Sequence, residues 1–123
     1  MYEVEVRGEF SAAHALKLYD GSTEPRHGHT FAVAVVMRAE KLDSIGVVVD
    51  FEELKPQLRR VLSELEHTQI ADQPEFRAGL NPSTENIAKI IYDRLKSRFR
   101  SANASITKVT VWETPEASAS FYA

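Results

Sequence analysis

The stretch "EPRHGHTFAVAVVMRA", Glu24 to Ala39, sets the reading of the chain. From His27 onward it alternates. His27, His29, Phe31, Val33, Val35 and Met37 share one face of an extended strand, and Gly28, Thr30, Ala32, Ala34 and Arg38 share the other. Residues 2 to 14 carry the same pattern. Tyr2, Val4, Val6, Phe10, Ala12 and His14 hold one parity, and Glu3, Glu5, Arg7, Glu9 and Ser11 the other. Two strands with matching apolar faces predict a hairpin, joined through the turn-forming residues "KLYDGSTEPR" at 17–26.

The rest of the chain completes the pattern. Asp50 in "VVVDF" is placed to cap a helix over 51–66, with Phe51, Leu54, Leu58, Leu62 and Leu65 at helical spacing. Pro56 marks a kink or a later start within it. Residues 68–82 read as loop. Ser83 caps a second helix running to about Phe99, with Ile87, Ile90, Ile91 and Leu95 on its core face. Residues 105–113 and 117–122 read as strands joined by the "TPEA" turn. The order ββααββ predicts an α+β fold, with both helices on one face of an antiparallel sheet.

A length of 123 residues suits one domain over 1–123. The formal charge of −3 and the lack of a basic run argue against a nucleic-acid partner. No apolar stretch approaches the roughly 18 residues of a membrane span. The start "MYEVEVRGEF" lacks the basic head and apolar run of a signal peptide, so a cytoplasmic location is expected. The chain has no cysteine, which excludes disulfides, zinc–thiolate sites and a thiol nucleophile.

Three of the four histidines, His14, His27 and His29, fall on the apolar strand faces. An imidazole there must be hydrogen-bonded or metal-bound. Residues two apart on a strand point the same way, so His27 and His29 can grip one ion, and His14 on the neighbouring strand can complete a three-nitrogen set. Three protein ligands with an open fourth position is the pattern of a catalytic zinc. Two readings stand: three satisfied core histidines, or a metal centre. His67, beside Glu66 at the end of the first helix, is either a proton-transfer pair or a solvated helix end. Glu113 shares its strand parity with Val109 and Val111. It is either a solvated strand-end residue or a carboxylate able to take paired hydrogen bonds from an amidine-like group.

The segments "FSAAHAL" (10–16), "HGHTFAV" (27–33), "GVVVDFEELK" (46–55), "LEHTQI" (65–70), "NPSTENIA" (81–88) and "VTVWET" (109–114) together resemble the 6-pyruvoyl-tetrahydropterin synthase family. That family includes the 6-carboxy-tetrahydropterin synthases of queuosine biosynthesis. The resemblance covers nearly the whole chain. It implies the tunnelling fold (T-fold), in which three subunits join their sheets into a barrel and two trimers stack as a homo-hexamer. It also implies a zinc ion on His14, His27 and His29. Glu113, helped by Ser83 and Thr84, would anchor the 2-amino-pyrimidinone edge of a pterin. The family's aspartate–histidine relay would fall on Glu66 and His67.

Two departures from that pattern stand out. The family's catalytic cysteine precedes the His-Gly-His motif by four residues, a place held here by Thr23. Glu24 stands three residues before the motif instead, and Glu66 replaces the relay aspartate. E-x-x-H-G-H resembles a class in which glutamate replaces the cysteine. Its members cleave 7,8-dihydroneopterin triphosphate to 6-hydroxymethyl-7,8-dihydropterin, a folate precursor. The expected function is therefore a zinc-dependent retro-aldol cleavage with Glu24 as base. The alternatives are 6-carboxy-tetrahydropterin synthesis, 6-pyruvoyl-tetrahydropterin synthesis on the tetrahydrobiopterin route, and a pterin-binding subunit without turnover.

Overall fold

The computed structural model describes residues 1–123. Strands β1 (Tyr2–His14), β2 (His27–Ala39), β3 (Ser105–Thr114) and β4 (Ala117–Tyr122) form one antiparallel sheet in the order β1-β2-β3-β4. Helices α1 (Phe51–Leu65) and α2 (Thr84–Arg98) lie between β2 and β3 in the chain and pack on one face of that sheet. No helix is long and apolar enough to cross a membrane.

The alternation in β1 and β2 explains the layer. Phe10 and Phe31 are direct partners across the hairpin, and their rings stack with centroids 5.0 Å apart. Val33, Val35, Val109 and Val111 continue the same face and are fully buried. Leu54, Leu58, Val61, Leu62 and Leu65 of α1 and Ile87, Ala88, Ile91 and Leu95 of α2 close over it. Burying each larger aliphatic side chain is worth roughly 1.5–3 kcal/mol. Gly8 sits where β1 passes closest to α1: a Cβ there would come within 2.8 Å of the Leu62 Cδ1. The lack of a side chain at that point lets the helix seat. In β3 the ladder shifts register between Val36 and Met37, which admits Thr107 as an extra residue. This is why Ile106 is buried together with the odd-numbered Val109 and Val111.

The opposite face of the sheet carries no helix and is polar. Arg38 Nε donates to Glu3 at 2.7 Å, the Ser11 and Thr30 hydroxyls pair at 2.8 Å, and the Thr110 and Ser120 hydroxyls at 2.7 Å. The Arg7 guanidinium lies over the Trp112 ring at 4.9 Å.

Both caps form as expected. The Asp50 carboxylate accepts from Glu52 N at 2.8 Å, and Ser83 Oγ accepts from Asn86 N at 3.2 Å. Three details differ from the expectation. Helix α1 begins at Phe51, directly after its cap, so Pro56 marks no later start. Pro56 lies in the second turn, where its missing N–H deprives only the exposed Glu52 carbonyl. Phe51 is 42% exposed and lies outside the core, and the Lys55 ammonium sits 5.9 Å from its ring. The 68–82 segment is more ordered than a plain loop, with short 3-10 turns at Ile70–Asp72 and Pro74–Phe76 that bury Ile70 and Phe76.

Candidate active site

The hairpin register brings the three histidines together. His14 pairs with His27 across β1 and β2, and Ala12 pairs with His29. The ring centroids are 4.7 Å apart for His14 and His27, 4.8 Å for His27 and His29, and 5.4 Å for His14 and His29. Backbone carbonyls fix two of the rings. His14 Nδ1 donates to the Pro82 carbonyl at 2.8 Å, and His27 Nδ1 to the Pro25 carbonyl at 3.0 Å. A carbonyl only accepts, so Nδ1 carries the hydrogen. In a neutral imidazole Nε2 then presents a lone pair.

These Nε2 atoms converge on one oxygen. Glu113 Oε1 lies 3.0 Å from His14 Nε2, 3.1 Å from His29 Nε2 and 3.9 Å from His27 Nε2. His29 Nε2 is buried and has no well-oriented hydrogen-bond partner. For His14 and His27 as neutral rings, a carboxylate oxygen facing their Nε2 lone pairs is repulsive unless positive charge, a proton or a metal ion, lies between them. The four ligand atoms sit within 4.8 Å of one another, so His14, His27, His29 and Glu113 can hold a metal ion. Three imidazole nitrogens and a carboxylate oxygen are ligands that suit zinc.

Glu24 stands at the rim of this cluster. Its backbone N donates to the Leu16 carbonyl at 2.9 Å, and Leu16 N donates back to Glu24 Oε1 at 3.0 Å. The doubly tied turn holds Oε1 3.7 Å from His27 Nε2, with the side chain 26% exposed.

Ser83 and Thr84 sit differently. Ser83 Oγ is engaged as the α2 cap and Thr84 is buried, while the neighbouring Pro82 touches the cluster through its carbonyl. Asn81 fixes this turn to the loop after β1. It accepts from Lys17 N at 2.9 Å and donates to the Lys17 carbonyl at 3.1 Å, and Asn86 Nδ2 donates to the Asn81 carbonyl at 2.9 Å. Asn81 and Pro82 open the "NPSTENIA" segment, but the sequence alone assigns neither a role. The local signal was the Asn-Pro pair directly ahead of a helix cap.

Glu66 and His67 form a pair outside the metal group. His67 adopts φ 57, a left-handed conformation uncommon for a residue with a side chain. That turn lets His67 N donate to the Ser11 carbonyl at 2.6 Å. The Glu66 carboxylate accepts from Ser11 N at 3.2 Å and lies 3.1 Å from His67 Nε2. The longer side chain of glutamate, compared with aspartate, still reaches the imidazole. The His67 side chain is 82% exposed and borders an open cleft that also includes His29.

The four-stranded antiparallel sheet with two helices on one face is the fold of a solved 6-pyruvoyl tetrahydropterin synthase, and it places a three-histidine group at one end of the first hairpin. The chain belongs to the 6-pyruvoyl tetrahydropterin synthase family, whose model matches residues 3–123. Among its relatives, dihydroneopterin monophosphate aldolase of Pyrococcus furiosus is 34% identical over 110 residues, covering 89% of this chain and 88% of the relative. The 6-carboxy-5,6,7,8-tetrahydropterin synthase of Haemophilus influenzae is 30% identical over 136 residues, covering 94% of each. The solved structure of Caenorhabditis elegans 6-pyruvoyl tetrahydropterin synthase superimposes with a TM-score of 0.85 at 27% identity, over 99% of this chain and 95% of that one.

Proposed function

We propose that this chain cleaves the side chain of a phosphorylated 7,8-dihydroneopterin by a retro-aldol reaction, releasing 6-hydroxymethyl-7,8-dihydropterin for folate synthesis. The observation that carries the reading is Glu24. In a chain without cysteine, a carboxylate stands pinned 3.7 Å from His27 Nε2, on the segment where the family has its thiol. The relationship to a relative named as a dihydroneopterin monophosphate aldolase supports it.

His14, His27 and His29 hold a zinc ion in this reading, and Glu113 serves substrate. A carboxylate locked as fourth ligand would close the exchangeable position that a catalytic metal needs. Glu113 is 31% exposed and its Oε2 has no hydrogen-bond partner, so it is free to accept from the pterin's 2-amino-pyrimidinone edge. The turn at Ser83 and Thr84 borders that edge. When bound, the ion acidifies the side-chain hydroxyls of the substrate.

Glu24 takes the proton of the C2′ hydroxyl. The C1′–C2′ bond breaks, C2′ leaves as the aldehyde of a phosphorylated two-carbon fragment, and the electron pair passes into the C6=N5 imine. A proton delivered to C1′ restores the imine and leaves the hydroxymethyl group. His67, oriented by Glu66, supplies that proton from the other side of the substrate. A carboxylate can remove an oxygen-bound proton more readily than a carbon-bound one, which favours this route over the isomerisation that a thiolate starts.

The polar, helix-free sheet face carrying Glu3, Glu5, Arg7 and Glu9 supports assembly of three sheets into a wet-lined barrel, and of two trimers into a hexamer. A second reading, 6-carboxy-tetrahydropterin synthesis, rests on the relative matched over 94% of the chain. Incubating the purified protein with 7,8-dihydroneopterin triphosphate, and separately with the monophosphate, decides between them by chromatography. The expected product is 6-hydroxymethyl-7,8-dihydropterin. A 6-carboxy or 6-pyruvoyl pterin, or no product, would overturn the reading.

A further inference from the structure

A cavity of about 450 Å³ adjoins the histidine cluster, sharing His14 and Pro82 as part of its wall. Lys17, Arg26 and Arg77 line it, and no aspartate or glutamate does. The three cations come from separate segments: the loop after β1, the approach to β2, and the turn after Phe76. None makes an ion pair, in contrast to Arg7, Arg38, Lys89, Arg94 and Arg98. The three side chains are exposed, and they concentrate positive charge at one cavity of a chain that is acidic as a whole at −3.

Local bonds hold the Lys17 backbone and the Arg77 side chain in place. Asn81 binds both the N–H and the carbonyl of Lys17. Arg77 Nε donates to the Asp72 carbonyl at 3.1 Å, which leaves its terminal nitrogens free for a ligand. Gly79, at φ 97, turns the chain beside Lys17, whose ammonium would be in ordinary contact, 3.9 Å, with a Cβ at that position. Three donors around one cavity, with two guanidinium groups able to bind oxygens in pairs, match a phosphate chain.

We infer that Lys17, Arg26 and Arg77 form a subsite for the phosphate tail of the pterin substrate, with the tail leading away from the ion site past His14. The assignment to a pterin tail rests on the function proposed above. Phosphate binding there also gives the protein a means of preferring phosphorylated over free dihydroneopterin.

Equilibrium titration of the metal-loaded protein with oxidised neopterin and with neopterin triphosphate tests this without requiring turnover. The triphosphate is expected to bind at least about tenfold more tightly. That ratio should fall about threefold in each of the Arg77→Gln and Lys17→Gln proteins, and approach one in the triple variant with Arg26→Gln. It should also shrink as salt is raised. Inorganic tripolyphosphate should compete with neopterin triphosphate. Equal affinities in the wild type, a ratio preserved in the triple variant, or tripolyphosphate that binds without competing would each overturn the subsite. If tripolyphosphate binds and the variants lose it, but neither pterin binds at all, the pterin assignment falls and a general anion site remains. Tight triphosphate binding with no cleavage would refute only the proposed reaction.

Discussion

His14 Nε2 and Glu113 Oε1, ninety-nine residues apart in the chain, meet at 3.0 Å. With His14 Nδ1 committed to the Pro82 carbonyl, a neutral ring presents a lone pair to Glu113, and the two atoms then attract only across a positive charge. The contact joins the end of β1 to the end of β3 across β2 and ties the helix-cap turn to it.

The first prediction concerns that charge. The wild type should carry one zinc per chain by elemental analysis, and His27→Ala should lose it. An ion that binds only the folded state also stabilises it, by about 2.7 kcal/mol at a hundredfold excess over its Kd. Added zinc should therefore raise the melting temperature of the metal-free wild type and leave that of His27→Ala unchanged. Full zinc occupancy in the variant would rule the ligand set out.

Glu113→Gln separates anchor from ligand. Glutamine keeps the size but exchanges an acceptor for a donor at the pterin edge, at a cost of about 1.5–3 kcal/mol for a charge-assisted bond. Neopterin affinity should fall about tenfold or more by fluorescence titration while zinc content stays at one per chain. Loss of zinc with the substitution would instead make Glu113 a ligand.

The ligand histidines were legible because strand parity is strict: one alternation count placed His27 and His29 on the apolar face, and the same count placed His14 opposite them. The nearness of Glu113 to those rings was not. Its parity could be counted, but the pairing of β2 with β3 spans two helices and includes a register shift, and no local pattern encodes it. Phe51 misled because helical spacing gives the direction of a side chain but not how much of it the fold covers. Arg77 and Lys17 carry no signal in the sequence; the Pro74–Phe76 turn and Asn81 are what bring their segments to one cavity. Glu66 and His67 were legible as a pair, whereas the left-handed turn that docks them on Ser11 was not.

Arg94 gives a prediction on stability. Its guanidinium donates to Glu75 at 2.6 and 2.7 Å, to Gln73 at 2.9 Å and to Glu64 at 3.2 Å, pinning the segment after His67 onto α2. The hydrogen bond from Arg94 holds the Glu75 carboxyl below its ordinary value of 4.5, and hydrogen bonding from Arg98 does the same for Glu64. A carboxyl whose folded value is lowered contributes stability above its unfolded value, and that stability is lost as pH falls through the folded one. Arg94→Met should lower stability at pH 7 by about 2 kcal/mol. Denaturant melts should also show the wild type losing more stability than the variant below about pH 5. Parallel loss in both proteins would show that these contacts add little in solution.

The central claim is that Glu24 replaces the missing thiol as the base of a carbon–carbon cleavage. The direct measurement is kcat for release of 6-hydroxymethyl-7,8-dihydropterin by wild type and by Glu24→Gln, with zinc content and neopterin affinity determined on the same samples. Glutamine preserves shape and removes basicity, so kcat should fall at least about 100-fold while metal and pterin binding hold. A Glu24→Gln protein that releases this product at near wild-type rate would contradict the account and move the base to His67.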